Sequence, residues 1–353
     1  MAIEFLDQTL AELTTIKVGG RAERIIRVTS EEELVQLISE AEQLDRPIFI
    51  LGGGSNVVFS DSDIPGWVIV VATEGIDWSE SHVRVSAGED WESLVIAALE
   101  RGYGEFAPLA GIPGSVGATP IQNIGAYGVE IADLIESVTV IDRESMSQRE
   151  MSVAECKFGY RTSIFKSTPG RFVVLAVTYF LRPKTSIKVS YPQLAQVLGV
   201  NVGAYVDAHT VRESVLALRG TKSMVVDQSD ADSNSTGSFF INPTIPRELA
   251  PDDCPAYPLK QGDPRAATHV KLSAAWLIEK SGIDKGFALD PENSRIRVSR
   301  NHSLAIANPD AGTSTEVIAL ASHMRQSVYN KFGIELEAEP VLVNCQLADF
   351  KSS

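Results

Sequence analysis

The eighteen residues at 111–128, GIPGSVGATPIQNIGAYG, hold five glycines and two prolines. In a helix or strand interior each of those glycines would cost roughly 0.5–1 kcal/mol relative to alanine, so the stretch is predicted to be loop. A second glycine run, ILGGGSN at 50–56, follows the apolar RPIFIL and leads into Val57-Val58-Phe59, which reads as strand, loop, strand. Backbone N–H groups with no Cβ in front of them are what a loop needs to cradle a phosphate or pyrophosphate. The same residues also suit a tight turn. The dinucleotide fingerprint G-x-G-x-x-G opening a helix is absent, because Ser55-Asn56 runs into a β-branched stretch. Two such loops in one unit suit a dinucleotide gripped by turns and not by a helix end.

Around the loops, helical and extended patterns alternate. Ser30 with Glu33, followed by Leu34, Val35, Ile38, Ala41 and Leu44, predicts an amphipathic helix. Asp90 is placed to cap a second, with Trp91, Leu94, Val95, Ala98 and Leu99 on one face. Strands are expected from Trp67 and over 82–87, 138–141, 171–181 and 335–343. Further helices are expected over 271–280, closed by Gly282, and over 316–332, opened by Thr313 with Glu316 and closed by Gly333. The expected class is α+β. At 353 residues the chain is long enough for two or three domains. The polar stretch between Gly220 and Gly237 reads as an exposed connection or a long loop and places a boundary, with a last domain over 221–353.

Net charge is −15, which disfavours nucleic acid and anionic membranes as partners. The longest apolar run, 172–181, is too short to span a bilayer, and MAIEFLDQTL has no secretory pattern. Three widely spaced cysteines suit a reducing compartment, so the expected location is cytoplasmic, with no disulfide framework and no metal site.

Chemistry could reside in four places. FGYRTS sets Tyr160 beside Arg161, a pairing that a surface salt bridge would also explain. GSFFINP holds Ser238 after the polar stretch, but no histidine motif and no G-x-S-x-G elbow accompanies it, so a serine hydrolase is disfavoured. Glu335, Glu337 and Glu339 alternate and are equivalent by pattern, and three like charges in a row are commonly a solvated face. Position separates them: Glu339, nearest the apolar 341–343, is the one expected to be drawn out of water. His302 precedes an apolar run and reads either as a site residue or as a satisfied strand end.

Taken in order, LGGGSN, AGIPGSVGATPIQNIGAYG, FGYRTSIF, GSFFINP, KLSAAWLIE and LEAEP closely resemble the UDP-N-acetylenolpyruvoylglucosamine reductase family, over residues 10–345. The resemblance implies a flavoenzyme of peptidoglycan synthesis that uses NADPH and non-covalent FAD and acts as a monomer on a UDP-sugar. It implies an FAD-binding unit of the vanillyl-alcohol-oxidase or p-cresol-methylhydroxylase type in two parts, 1–74 and 75–220, followed by a substrate domain, 221–353. Carried over by position, Arg161, Ser238 as proton donor and Glu339 are the implied catalytic residues. The implied FAD contacts are Gly52, Gly53, Gly54, Ser55 and Asn56, then Gly111, Ile112, Pro113, Gly114, Gly117, Ala118, Gln122, Asn123, Gly125, Ala126 and Tyr127. Tyr160, Tyr191, Lys222, Asn242 and Lys271 are the implied substrate or nicotinamide contacts, His302 is added to them on its place before the apolar run, and VSYPQL around Tyr191 marks the branch with an extra tyrosine-bearing substrate loop.

Overall fold

A computed structural model describes residues 3–5, 8–260 and 262–350. Two compact units divide the chain: residues 1–8, 22–54 and 65–225 form one, and 9–21, 55–64 and 226–353 the other. Among the described residues no helix is long and apolar enough to cross a membrane, and no group of His, Cys, Asp or Glu could hold a metal ion.

The first unit is built on two sheets. One runs in the order Ile3–Phe5, Ala22–Val28, Ile64–Val71, Ile48–Leu51, with the last two strands parallel. The other is antiparallel, in the order Ser147–Ser152, Ile135–Asp142, Phe172–Phe180, His82–Ser86, Ile76–Trp78. Phe172–Phe180 lies in the middle of its sheet, buried from its second residue to its eighth, which is why it reads as an unbroken apolar run. The capping signals work as expected: Ser30 accepts from the Glu33 amide to start Glu31–Gln43, and Asp90 from the Ser93 amide to start Trp91–Glu100. Leu34, Ile38 and Ala41 of the first helix and Leu94, Val95 and Ala98 of the second join one core with the sheets.

In the second unit Ser235–Ser238, Ala305–Ala307 and Arg297–Val298 form one small sheet, and Thr244–Pro246, His269–Leu272 and Ala256–Tyr257 another. Val341–Val343 runs parallel to Val57–Phe59. The helix Ser314–Phe332 has the full Thr313–Glu316 capping box and ends on Gly333 at φ +67°, both in the places the sequence indicates.

Three expectations change. The helix foreseen from residue 271 begins at Ala274, because Ser273 caps it by accepting from the Trp276 amide. Lys271 and Leu272 instead belong to a strand, with Lys271 paired to Thr244 on one side and Tyr257 on the other. The strand foreseen over 335–343 is confined to Val341–Val343, preceded by an isolated bridge from Ala338 to Phe240. The polar stretch before Gly237 is exposed only in part: residues 226–229 and 231 are exposed, whereas Asp232, Ser233, Ser235 and Thr236 are buried.

Candidate active site

The first unit holds the two glycine loops against each other. A Cβ on Gly52 would lie 2.4 Å from Ser115 Oγ, and one on Gly53 would lie 2.7 Å from the Cα of Gly114. Backbone therefore meets backbone, which only glycine permits. Gly54, Gly111 and Gly114 take positive φ (+65°, +69° and +128°), and Gly117 packs so that a Cβ would sit 2.5 Å from that of Ala87. Ala118 lies in the same turn, with Ile112 packed against the core. The close packing fixes the backbone of both loops, with the Gly117 and Ala118 amides bonded to Ala87 O and Ser115 O, and a backbone held without side chains is what the diphosphate of a dinucleotide requires.

The loop is fastened from behind by charges. Glu92 accepts from the Gly111 amide at 2.6 Å and is itself held by Arg212. Arg219 donates to the carbonyls of Gly111 (3.2 Å) and Met224 (2.8 Å). Burial pulls the Arg219 guanidinium below its usual range; the Tyr127 and Glu92 charges oppose that shift and the Arg161 charge adds to it. Burial likewise pushes the Tyr127 phenol up. Arg219, Arg212 and Glu92 were not singled out in the sequence.

Residues 121–127 are tied to the FGYRTS turn. Asn123 donates from its side chain to Gly159 O (3.0 Å) and Glu130, and accepts from the Ala132 amide (3.1 Å). Its side chain thus holds the loop together. Ser163 Oγ donates to Ile121 O at 2.6 Å, and Arg161, at φ +52°, donates from Nη2 to Gly125 O at 2.9 Å. The Tyr160 ring lies 5.7 Å from that guanidinium. Gln122 and Ala126 are half-buried beside them. Tyr127 meets Tyr191 edge to face at 5.6 Å, and Lys222 Nζ donates to Gln193 at 3.0 Å, on the helix that Tyr191 precedes. The tyrosine-bearing segment and the glycine loop are therefore neighbours in this unit.

The second unit contains Ser238, Glu339, Asn242, Lys271, Ser55, Asn56 and His302. Ser238 ends its strand opposite Ala305, three residues past His302, whose carbonyl accepts from the Ala305 amide. Beyond Ser238 the chain runs antiparallel to 337–339: Glu339 N donates to Phe239 O (2.9 Å) and Ile241 N to Glu337 O (3.1 Å). Asn56 Nδ2 donates to Glu339 O at 3.3 Å, and Val341 N to Asn56 O at 3.0 Å. Ile334 and Leu336 point into the core between exposed Glu335 and Glu337, whereas Glu339 is half-buried and followed by buried Pro340. Asn242 Oδ1 accepts from the Ala274 amide at 2.9 Å, which leaves its two side-chain N–H donors for other partners.

Residues 228–343 match the family model of the UDP-N-acetylenolpyruvoylglucosamine reductase C-terminal domain, and residues 22–148 that of an FAD binding domain. A UDP-N-acetylenolpyruvoylglucosamine reductase of Thermobifida fusca is 41% identical over 96% of this chain and 97% of its own. The chain belongs to the UDP-N-acetylenolpyruvoylglucosamine reductase family. The Cutibacterium acnes reductase is also 41% identical, over 97% of this chain and 90% of its own. The solved reductase of Thermus caldophilus, 23% identical, shares the fold at a TM-score of 0.67 over 97% of this chain and 98% of its own. Reductases of this family are FAD-dependent oxidoreductases, and both glycine loops of this chain, 50–56 and 111–128, fall within the matched FAD binding domain.

Proposed function

We propose that the protein reduces UDP-N-acetylglucosamine-enolpyruvate to UDP-N-acetylmuramate for peptidoglycan synthesis, as a monomer, with NADPH as electron source. Residues 1–74 and 75–220 hold FAD in this reading, and 221–353 take the UDP-sugar. FAD, held by the two glycine loops, would supply the hydride chemistry that links NADPH to C3 of the enolpyruvyl group. Negative charge then develops at C2 and on the adjoining carboxylate. Arg161, fixed by its bond to Gly125, offers guanidinium donors that stabilise that anion. Ser238 donates the proton that C2 needs, and its oxygen recovers one from solvent. A hydroxyl is a weak acid, but a nascent carbanion is a strong enough base to take its proton without a histidine.

Glu339 is the carboxylate of the site. Lys271, Lys222 and Tyr191 offer cations and a hydroxyl to the substrate's diphosphate, and Asn242, Tyr160 and His302 offer further donors. The observation that carries this reading is the bond from Glu339 N to Phe239 O, which sets the carboxylate segment beside the serine from a distant part of the chain.

The test is Ser238→Ala followed by rapid-mixing absorbance. The variant should purify yellow with releasable FAD and bleach with NADPH at the wild-type rate. Reoxidation by the enolpyruvyl substrate should slow by roughly 10²-fold or more, the scale of a lost proton donor. Equal slowing of both halves would give Ser238 a structural role only, and a colourless protein that takes up no FAD would end the oxidoreductase reading.

A further inference from the structure

We infer that Asp232 is a positioning residue for Ser238: it clamps the turn at 299–302, on which the register of the serine strand depends. The inference rests on the assignment of Ser238 as proton donor.

Asp232 is 5% exposed and sits in the turn Ala231–Ser233, just ahead of Ser235–Ser238. A single carboxylate oxygen, Oδ2, accepts from Ser299 Oγ at 2.9 Å and from the Arg300 amide at 2.6 Å. Ser299 is fully buried, and its Oγ in turn accepts from the Asn301 amide at 3.1 Å. A carboxylate taken out of water is tolerated only with such bonds, and removing it would strand the buried Ser299 hydroxyl and the part-buried Arg300 amide.

The clamped turn leads directly into Ala305–Ala307, the strand that registers Ser238. That ladder is not continuous. Ser235 pairs with Ala307 and Ser238 with Ala305, with an irregularity between them where Gly237 takes φ +73°. The serine strand is thus held at its two ends. One end is the bond from the Asn308 amide to Asn234 O (2.8 Å), and the other is Phe239 N to Leu304 O (2.8 Å). The second end hangs on residues 303–305, immediately after the turn that Asp232 fastens. Releasing the turn would let Leu304 and Ala305 shift, and the Ser238 hydroxyl with them, while the core formed by Val317, Leu320 and Met324 stays packed.

The experiment uses full-length, FAD-loaded enzyme. Asp232→Ala removes the shared acceptor, whereas Asp232→Asn can place its one carbonyl oxygen where Oδ2 stands and accept both bonds. Asp232→Ala should reduce with NADPH at the wild-type rate and reoxidise with substrate roughly 10- to 100-fold more slowly, the consequence of misplacing a reacting group by about 1 Å. The solvent deuterium isotope effect on that reoxidation should grow. Asp232→Asn should stay within about threefold of wild type. In the Ser238→Ala background Asp232→Ala should add almost nothing, because the two act on one step. In the apoprotein, the Arg300 amide should exchange faster in Asp232→Ala. If Asp232→Ala does not fold, Ser299→Ala removes one of the two donors and should slow the same half-reaction to a smaller degree.

Wild-type reoxidation in Asp232→Ala or in Ser299→Ala overturns the inference. So does a loss in the double variant that multiplies the two single losses, or an Asn variant as impaired as the Ala one. Wild-type reoxidation in Ser238→Ala alone would instead remove the proton-donor assignment, which identifies that failure separately.

Discussion

Gly53→Ala tests whether the two glycine loops are held backbone to backbone. The added Cβ would stand 2.7 Å from Gly114 Cα, 3.2 Å from Gly114 C and 3.4 Å from Ser115 N. Carbon atoms in van der Waals contact sit about 3.5–4.0 Å apart, so one loop must retreat by about 1 Å. All three obstructing atoms are main chain, and no side-chain rotation can relieve them. Overpacking of this kind costs about 1–3 kcal/mol. In a unit of this size that lowers Tm by about 2–12 °C. If the strain falls on the conformation that binds FAD, the same energy weakens the cofactor by roughly 5- to 150-fold. Gly220→Ala is the matched control, since a Cβ there meets nothing within 4 Å and φ is not positive. Gly220 is the last residue of the helix Ala208–Gly220, so the change should leave Tm unchanged or slightly raised, alanine being the better helix former. Thermal melts of the apoproteins and titration with FAD, followed by flavin fluorescence, give both quantities. A Gly53→Ala protein matching the control in Tm and FAD affinity would refute the contact.

Two further outcomes follow from the second unit and the core. Glu339→Gln should cut turnover by roughly two orders of magnitude, the scale of a positioned acid–base or electrostatic group. Exposed Glu337→Gln should lose less than about tenfold, and steady-state kinetics showing the reverse order would put the functional carboxylate at 337. Burial pushes the Cys156 thiol up to about 12, so at pH 8 almost none of it is thiolate. Native protein treated with iodoacetamide and mapped by mass spectrometry should leave Cys156 unmodified, and modification as fast as a free thiol would contradict that burial.

What the sequence alone determined are the features that close over a few residues. Thr313, Glu316 and Gly333 delimit one helix, and Ser30 and Asp90 start two others, because a cap and its partner amide are three positions apart. The burial of Phe172–Phe180 is visible because a central strand carries apolar residues on both faces. The glycine runs announce that backbone must approach something closely, and the ordered motifs point to the family. The glutamates could be ranked from the apolar run that follows them.

Tertiary structure decided the identity of each partner. That Gly53 rests on Gly114, that Arg219 holds the carbonyl of Gly111 from 108 residues away, and that Glu339 N bonds to Phe239 O are long-range choices with no local signature. Lys271 shows how the local reading fails. KLSAAWLIEK has helical periodicity, yet pairing to Thr244 and Tyr257 satisfies the backbone of residues 271–272 as strand and leaves Ser273 to cap a shorter helix. Asp232, Ser233, Ser235 and Thr236 fail in the opposite sense. Polar composition predicts exposure because unpartnered polar groups belong in water, but Asp232 finds its donors 67 and 68 residues away and is buried with them.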